Sequence, residues 1–194
     1  MLQINKGEPW IFWPNSICDT LPENPANKIL SGDQYFKVSF KLVLTDTSNE
    51  QKTLFTIVPR FTGLDLYGDM MKLTITCEDK PDYIDLPLLI KPGDENEIVL
   101  EHSPKRFFKL FINNNEVYNL SLENRCFGIA DNPHIIIGAG NFPKNDFNLN
   151  YTEFKLLEFK VEDSENLLAH HLFEEFIFDK SVDLTDNCNF IHKL

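Results

Sequence analysis

The sequence predicts an all-β chain folded as an antiparallel β-sandwich. Three observations predict it: a clean two-residue alternation from Phe36 to Leu44, a succession of short apolar runs separated by turn signals, and 17 Phe among 194 residues to fill the space between two sheets. In the first of these, Phe36, Val38, Phe40, Leu42 and Leu44 share one face while Lys37, Ser39 and Lys41 take the other, the mark of a half-buried strand.

Residues 1–30 mix Trp10, Phe12 and Trp13 with Pro9, Pro14, Pro22 and Pro25. Proline at that density disfavours a helix and fits an extended N-terminal arm or an edge strand, lying across a single domain that takes in residues 1–194. Leu54–Val58 and Leu64–Tyr67 are short strands separated by Pro59–Gly63, and Lys72–Thr76 follows the Gly68-Asp69 turn signal, which reads as a β-meander. Glu97–Glu101 and Phe107–Ile112 repeat the pattern. Asn113-Asn114-Asn115-Glu116 then makes a tight turn in which Asn tolerates positive φ, and Val117–Leu122 returns.

Ile135–Ile137 runs into Gly138-Ala139-Gly140, and Tyr151–Val161 is a strand expected to place Leu157, Phe159 and Val161 on one face against Glu158 and Lys160. Ser164–Phe178 has two readings. Leu168, Leu172 and Phe176 suit an amphipathic helix, whereas a turn at Glu162–Asn166 would return Leu167–Phe173 along the preceding strand as a hairpin.

Eighteen Lys and Arg against 30 Asp and Glu give a net charge of −12, which disfavours a nucleic-acid partner and an anionic membrane surface. Met1–Gly7 lacks the basic head and apolar run of a secretion signal, and no apolar stretch is long enough to insert across a bilayer, so a soluble chain is expected with its compartment left open. Cys18, Cys77, Cys126 and Cys188 contain no C-x-x-C pair and are read as free thiols rather than as a zinc site or disulfides.

The ordered stretches Leu54–Ile57, Leu64–Tyr67 and Lys72–Ile75, then Phe108–Val117 with its Asn-rich hairpin, then Ile135–Gly140 and Tyr151–Val161, resemble the laminin G-like branch of the concanavalin A-like lectin and glucanase superfamily. The resemblance spans Leu54–Val161 and implies a jelly-roll sandwich. The end of the chain, Leu167-Leu168 and Val182–Asn187, is similar to the ends of such domains in phage and other virion proteins, where a hairpin is usual. That favours the strand reading of Leu167–Phe173.

The resemblance implies a non-catalytic, lectin-like module that binds a glycan or a glycosylated receptor. A structural virion, tail or surface-assembly protein that forms a homo-oligomer is the alternative, and a polysaccharide-active enzyme the third. Glucanases of the superfamily alternate acids on one strand, and the chain has no E-x-D-x-E run; Asp82 with Asp85, and Asp94 with Glu95, read as solvated turns. No catalytic residue is therefore assigned. Trp10 and Trp13 are candidates for sugar stacking, although packing of the arm accounts for them better; Arg60, Tyr67 and Asn141 are loop-side ligand candidates. Asp146, Asn148 and Asn150 alternate oxygen-bearing side chains as a calcium loop would, against the plainer reading of an Asn-rich loop. The five His show no metal-ligand spacing.

Overall fold

The computed structural model describes residues 1–5, 10–13, 34–58, 62–77, 80–123, 134–139, 152–173, 176–177, 180–181 and 190–193. Among the described residues every regular element is a strand. One sheet is ordered β1 (Leu2–Ile4), β12 (Phe154–Glu162), β3 (Phe36–Leu44), β8 (Glu95–Ser103), β9 (Phe107–Ile112) and β10 (Asn115–Ser121), with β13 (Leu167–Leu172) also paired to β12. The other is ordered β14 (Phe176–Ile177), β15 (Lys180–Ser181), β16 (Phe190–Lys193), β2 (Trp10–Trp13), β11 (His134–Ile137), β4 (Lys52–Val58), β5 (Thr62–Tyr67), β6 (Met70–Cys77) and β7 (Lys80–Pro87). Each of these pairings is antiparallel.

The two sheets pack face to face through the side chains that the alternation selects. Phe36, Val38, Phe40, Leu42 and Leu44 are all buried. Phe40 of one sheet stacks on Phe55 of the other at 4.6 Å between ring centroids, and Phe12 meets Phe159 at 4.8 Å, so rings interlock across the layer. The β4 to β7 run is the expected meander. Asn113 and Asn114 hold φ values of 50° and 65°, which closes the two-residue turn between β9 and β10. Asp163 Oδ1 accepts the backbone N–H groups of Glu165 and Asn166, fixing the turn from which β13 returns along β12 as a hairpin.

Four expectations are corrected. Trp10–Trp13 is neither an arm nor an edge but an interior strand between β16 and β11, while Leu2–Ile4 joins the opposite sheet. The strand expected at Leu64 begins at Thr62, so Gly63 is part of β5 rather than of the connection before it. Leu157 does not share the inner face with Phe159: it is the extra residue of a β-bulge opposite β3, since Leu156 pairs with Leu42 and Glu158 with Lys41, and Leu156 takes the buried position. Asp82 and Asp85 lie in the edge strand β7, whose Pro81 and Pro87 an edge tolerates, and Glu95 opens β8.

Gly138 turns the chain after β11 with φ +85°, and a Cβ there would collide with the Ile4 side chain. Gly138→Ala should therefore lower stability by about 2 kcal/mol through strain and overpacking, read as a fall in the urea midpoint at unchanged slope. Cys18, Cys126, Cys188 and Val182–Asn187 lie outside the described residues, as does the side chain of Cys77.

Candidate functional site

Alternation that buries one face of the seven-stranded sheet sends the other side chains of the same strands outward. On β8, Asn96, Ile98, Leu100 and His102 point into the core, leaving Glu95, Glu97, Val99, Glu101 and Ser103 on the outer face. Register then assembles cross-strand rows. Glu162, Lys37, Glu101 and Lys109 form one row; Lys160, Ser39, Val99 and Phe111 form a second; Glu158, Lys41 and Glu97 form a third.

Where these rows approach the β9–β10 turn, the surface sinks into a groove of about 370 Å³. Val99 and Phe111 give it an apolar lining, and Tyr35, Lys37, Glu97, Glu101 and Asn114 give it polar groups. The turn is pinned to β8: the Asn113 N–H donates to the Glu97 carbonyl at 2.9 Å, and the Glu97 N–H donates to Asn113 Oδ1 at 2.8 Å. Asn96, buried beneath, accepts from the Asn113 side-chain amide and ties the turn to the Lys91–Asp94 connection. Asn114 is thus held beside the groove by a strand rather than by a loop alone.

Tyr35 donates its hydroxyl to Glu101 Oε1 at 2.9 Å. Burial, that hydrogen bond, and the negative charge of Glu101 and Glu162 all raise its pKa, so the phenol stays protonated and remains a donor. Lys37 reaches Glu162 at 3.1 Å. Farther along the face, Glu158 accepts from Lys160 and from His170, each at 2.7 Å; burial alone would raise its pKa, but these two partners outweigh it and hold the carboxyl below its usual value. Lys109 and Glu116 pair at 2.8 Å, the bond lowering the carboxyl and raising the ammonium.

Of the residues singled out from sequence, the two whose side chains are described, Trp10 and Tyr67, are not among the described residues that line this groove. Trp10 is 8% exposed and belongs to the core, so it has no ring face to offer a ligand, and packing accounts for it. Trp13 lies in β2 with its side chain outside the described residues, and Arg60, Asn141, Asp146, Asn148 and Asn150 are also outside them. Tyr67 is 52% exposed on the outer face of the other sheet, with Lys72 Nζ 5.7 Å from its ring centroid. Among the described residues no three His, Cys, Asp or Glu side chains gather as metal ligands would.

The groove residues missed from sequence had one local signal. Glu97, Val99 and Glu101 alternate with the buried Ile98 and Leu100 on β8, so their common face could have been read; the neighbours Lys37 and Phe111 come from other strands.

No family model matches the chain, and no curated protein sequence does. Solved structures do. The mouse laminin alpha1 chain, domains LG4-5, superposes with a TM-score of 0.59 at 9% identity over 86% of this chain. The botulinum neurotoxin serotype D binding domain gives 0.53 at 13% over 79%, and tailspike protein 2 of the Escherichia coli O157:H7 bacteriophage CAB120 gives 0.55 at 10% over 73%. The chain spans 44%, 38% and 24% of those three chains, respectively. Identities this low speak to the fold alone. With two antiparallel sheets sharing one core, they show that this chain has a concanavalin A-like, jelly-roll β-sandwich fold.

Proposed function

We propose that the chain is a non-catalytic binding module for a glycan or a glycosylated receptor, and that the ligand lies in the groove on the outer face of β3, β8 and β9. The observation that carries the proposal is the lining itself: the Phe111 ring and Val99 beside two carboxylates and an ammonium on β3, β8 and β9, with the Asn114 amide on the β9–β10 turn. A pyranose presents an apolar C–H face to an aromatic side chain and a rim of hydroxyls to polar groups, and both are available here. The shared fold with a neurotoxin binding domain supports the reading.

Hydrolysis of a glycosidic bond requires two carboxyl groups in opposite protonation states across the scissile bond. Of the two groove carboxylates, Glu101 already accepts the Tyr35 hydroxyl, which supports binding without turnover. Phe111→Ala should weaken glycan binding by about 1–2 kcal/mol, roughly a tenfold loss, while the melting temperature changes little. Calorimetric titration on a ligand chosen from a glycan array measures it. Equal affinity of the folded variant would move the site elsewhere, and turnover abolished by Glu97→Gln would replace binding with catalysis.

A second reading, an assembly component that oligomerises through a sheet face, draws support from Tyr67, Met70 and Tyr83, which stand 52%, 39% and 63% exposed on β5, β6 and β7. Light scattering across a concentration series tests it, and a monomer throughout would remove it.

A further inference from the structure

Charges on the groove face are distributed unequally. The lysines bordering it each have a carboxylate of their own: Lys37 pairs with Glu162 at 3.1 Å, Lys41 with Glu95 at 3.7 Å and Glu158 at 3.8 Å, and Lys109 with Glu116 at 2.8 Å. Glu97 is in register with Lys41, yet among the described residues its carboxylate has neither a cation within 4 Å nor a hydrogen-bond donor. It is half-buried in the groove lining that Phe111 and Asn114 share. Glu101 commits one oxygen to the Tyr35 hydroxyl, and that hydroxyl thereby spends its only proton inside the protein. Among the described residues the lining holds two carboxylates against one ammonium, Lys37, which is already paired with Glu162, and the Asn114 amide.

We propose that the groove discriminates sugars by charge: it favours glycans bearing a free primary ammonium, such as a deacetylated amino sugar, over neutral ones, and rejects acidic glycans. This rests on the groove being the glycan site and adds the ligand class to that reading. A hydroxyl donates one proton to a carboxylate, whereas an ammonium donates three and carries the opposite charge, so the Glu97 carboxylate gains most from an amine. The adjacent Phe111 ring, which already has Lys109 Nζ 5.9 Å from its centroid, supplies apolar contact to the sugar rather than a second place for the cation. An acidic sugar would bring a like charge toward Glu97 and Glu101 with no uncommitted lysine beside them, against the field of a chain whose net charge is −12.

The test uses four β-1,4-linked hexamers of matched length: cellohexaose, N-acetylated chitohexaose, its fully deacetylated form at mildly acid pH where the amines are charged, and an oligomannuronate. Calorimetric titration should rank the deacetylated hexamer about tenfold tighter than the two neutral ones, and the uronate weakest. Glu97→Gln keeps the backbone bonds to Asn113 and removes only the charge; it should compress the ranking to within about threefold, as should 1 M salt. Neutral hexamers bound as tightly as the deacetylated one, or a uronate bound as tightly as either, would overturn the inference while leaving the glycan site standing. An unchanged ranking in Glu97→Gln would overturn it as well. If no hexamer binds, the glycan reading falls and takes the inference with it; hexalysine, titrated in parallel, then shows whether the carboxylate-bearing groove is a peptide site instead.

Discussion

Replacing Lys52 with Met should lower stability by about 3 kcal/mol, because removing one partner of a buried ion pair leaves the other uncompensated. Lys52 is 3% exposed, on the inward face of β4 where it pairs with Leu66. Its ammonium donates to Asp46 Oδ1 at 3.0 Å, to the Asp46 carbonyl at 3.0 Å and to the Ser48 carbonyl, drawing three oxygens of the β3–β4 connection around one buried nitrogen. The Asp46 carboxyl is held below its usual pKa. Burial would raise it, but hydrogen bonds from Ser48 and Lys52 prevail. Met keeps the aliphatic stem and removes the charge, so urea unfolding at neutral pH isolates the polar contribution. Adding Asp46→Asn should cost less than the sum of the two single changes. A loss under about 1 kcal/mol would class this contact with exposed surface pairs.

The second large effect depends on pH. His102 is fully buried on the inner face of β8, stacked on Phe36 at 4.9 Å, with Nδ1 3.3 Å from the Gln34 carbonyl. Burial pushes its pKa down from 6.5 to about 4, and the Gln34 carbonyl opposes that only in part. Above pH 6.5 the ring is neutral whether the chain is folded or unfolded, and titration adds nothing. Between 6.5 and 4 the unfolded chain binds a proton that the folded chain refuses, so stability falls as pH falls, by about 3 kcal/mol across the window. Below 4 the folded ring is protonated too, and the loss levels off.

Asp46, Glu158 and Asp163, whose carboxyls are held low, lose their contributions in more acid solution. Asp65 works in the opposite direction, because burial raises its pKa despite the Thr53 and Gln51 hydrogen bonds and its protonation favours the fold. His102→Gln retains all four carboxyls, so the difference between the two stability curves reports the histidine. Parallel curves between pH 4 and 6.5 would show that the ring accepts a proton in place.

The strands most legible in sequence were those buried on one face and wet on the other. Phe36 to Leu44 reads correctly because both faces of β3 constrain it, and the paired Asn residues at 113 and 114 announce their turn through a backbone conformation that few residues accept. Leu157 was misplaced because a bulge is a property of two strands: nothing within Phe154–Glu162 says that β3 supplies one residue fewer opposite it. Trp10–Trp13 looked like an arm because flanking prolines dominate the local signal, while its interior place depends on β11 and β16, far along the chain. The groove was illegible for the same reason. Lys37, Val99 and Phe111 are each an ordinary outward position, and only the β3–β8–β9 register sets them side by side.

The border formed by β7 bears on how densely this protein can be displayed. Pro81, Tyr83, Asp85 and Pro87 share one parity, and proline has no N–H to give β6, so the backbone groups of that parity point away from the sheet. Four donors that would line a plain edge are reduced to two, those of Tyr83 and Asp85, and a carboxylate stands next to each: Asp82 and Asp85 itself. A second molecule sliding alongside finds an interrupted ladder and like charge, which prevents sheet-to-sheet recruitment at that border. Copies can then be crowded together, as on a multivalent surface, without their nine-stranded sheets annealing through β7 into fibrils, and Pro81→Thr with Pro87→Thr should shorten the lag before thioflavin-positive aggregates form in concentrated solution.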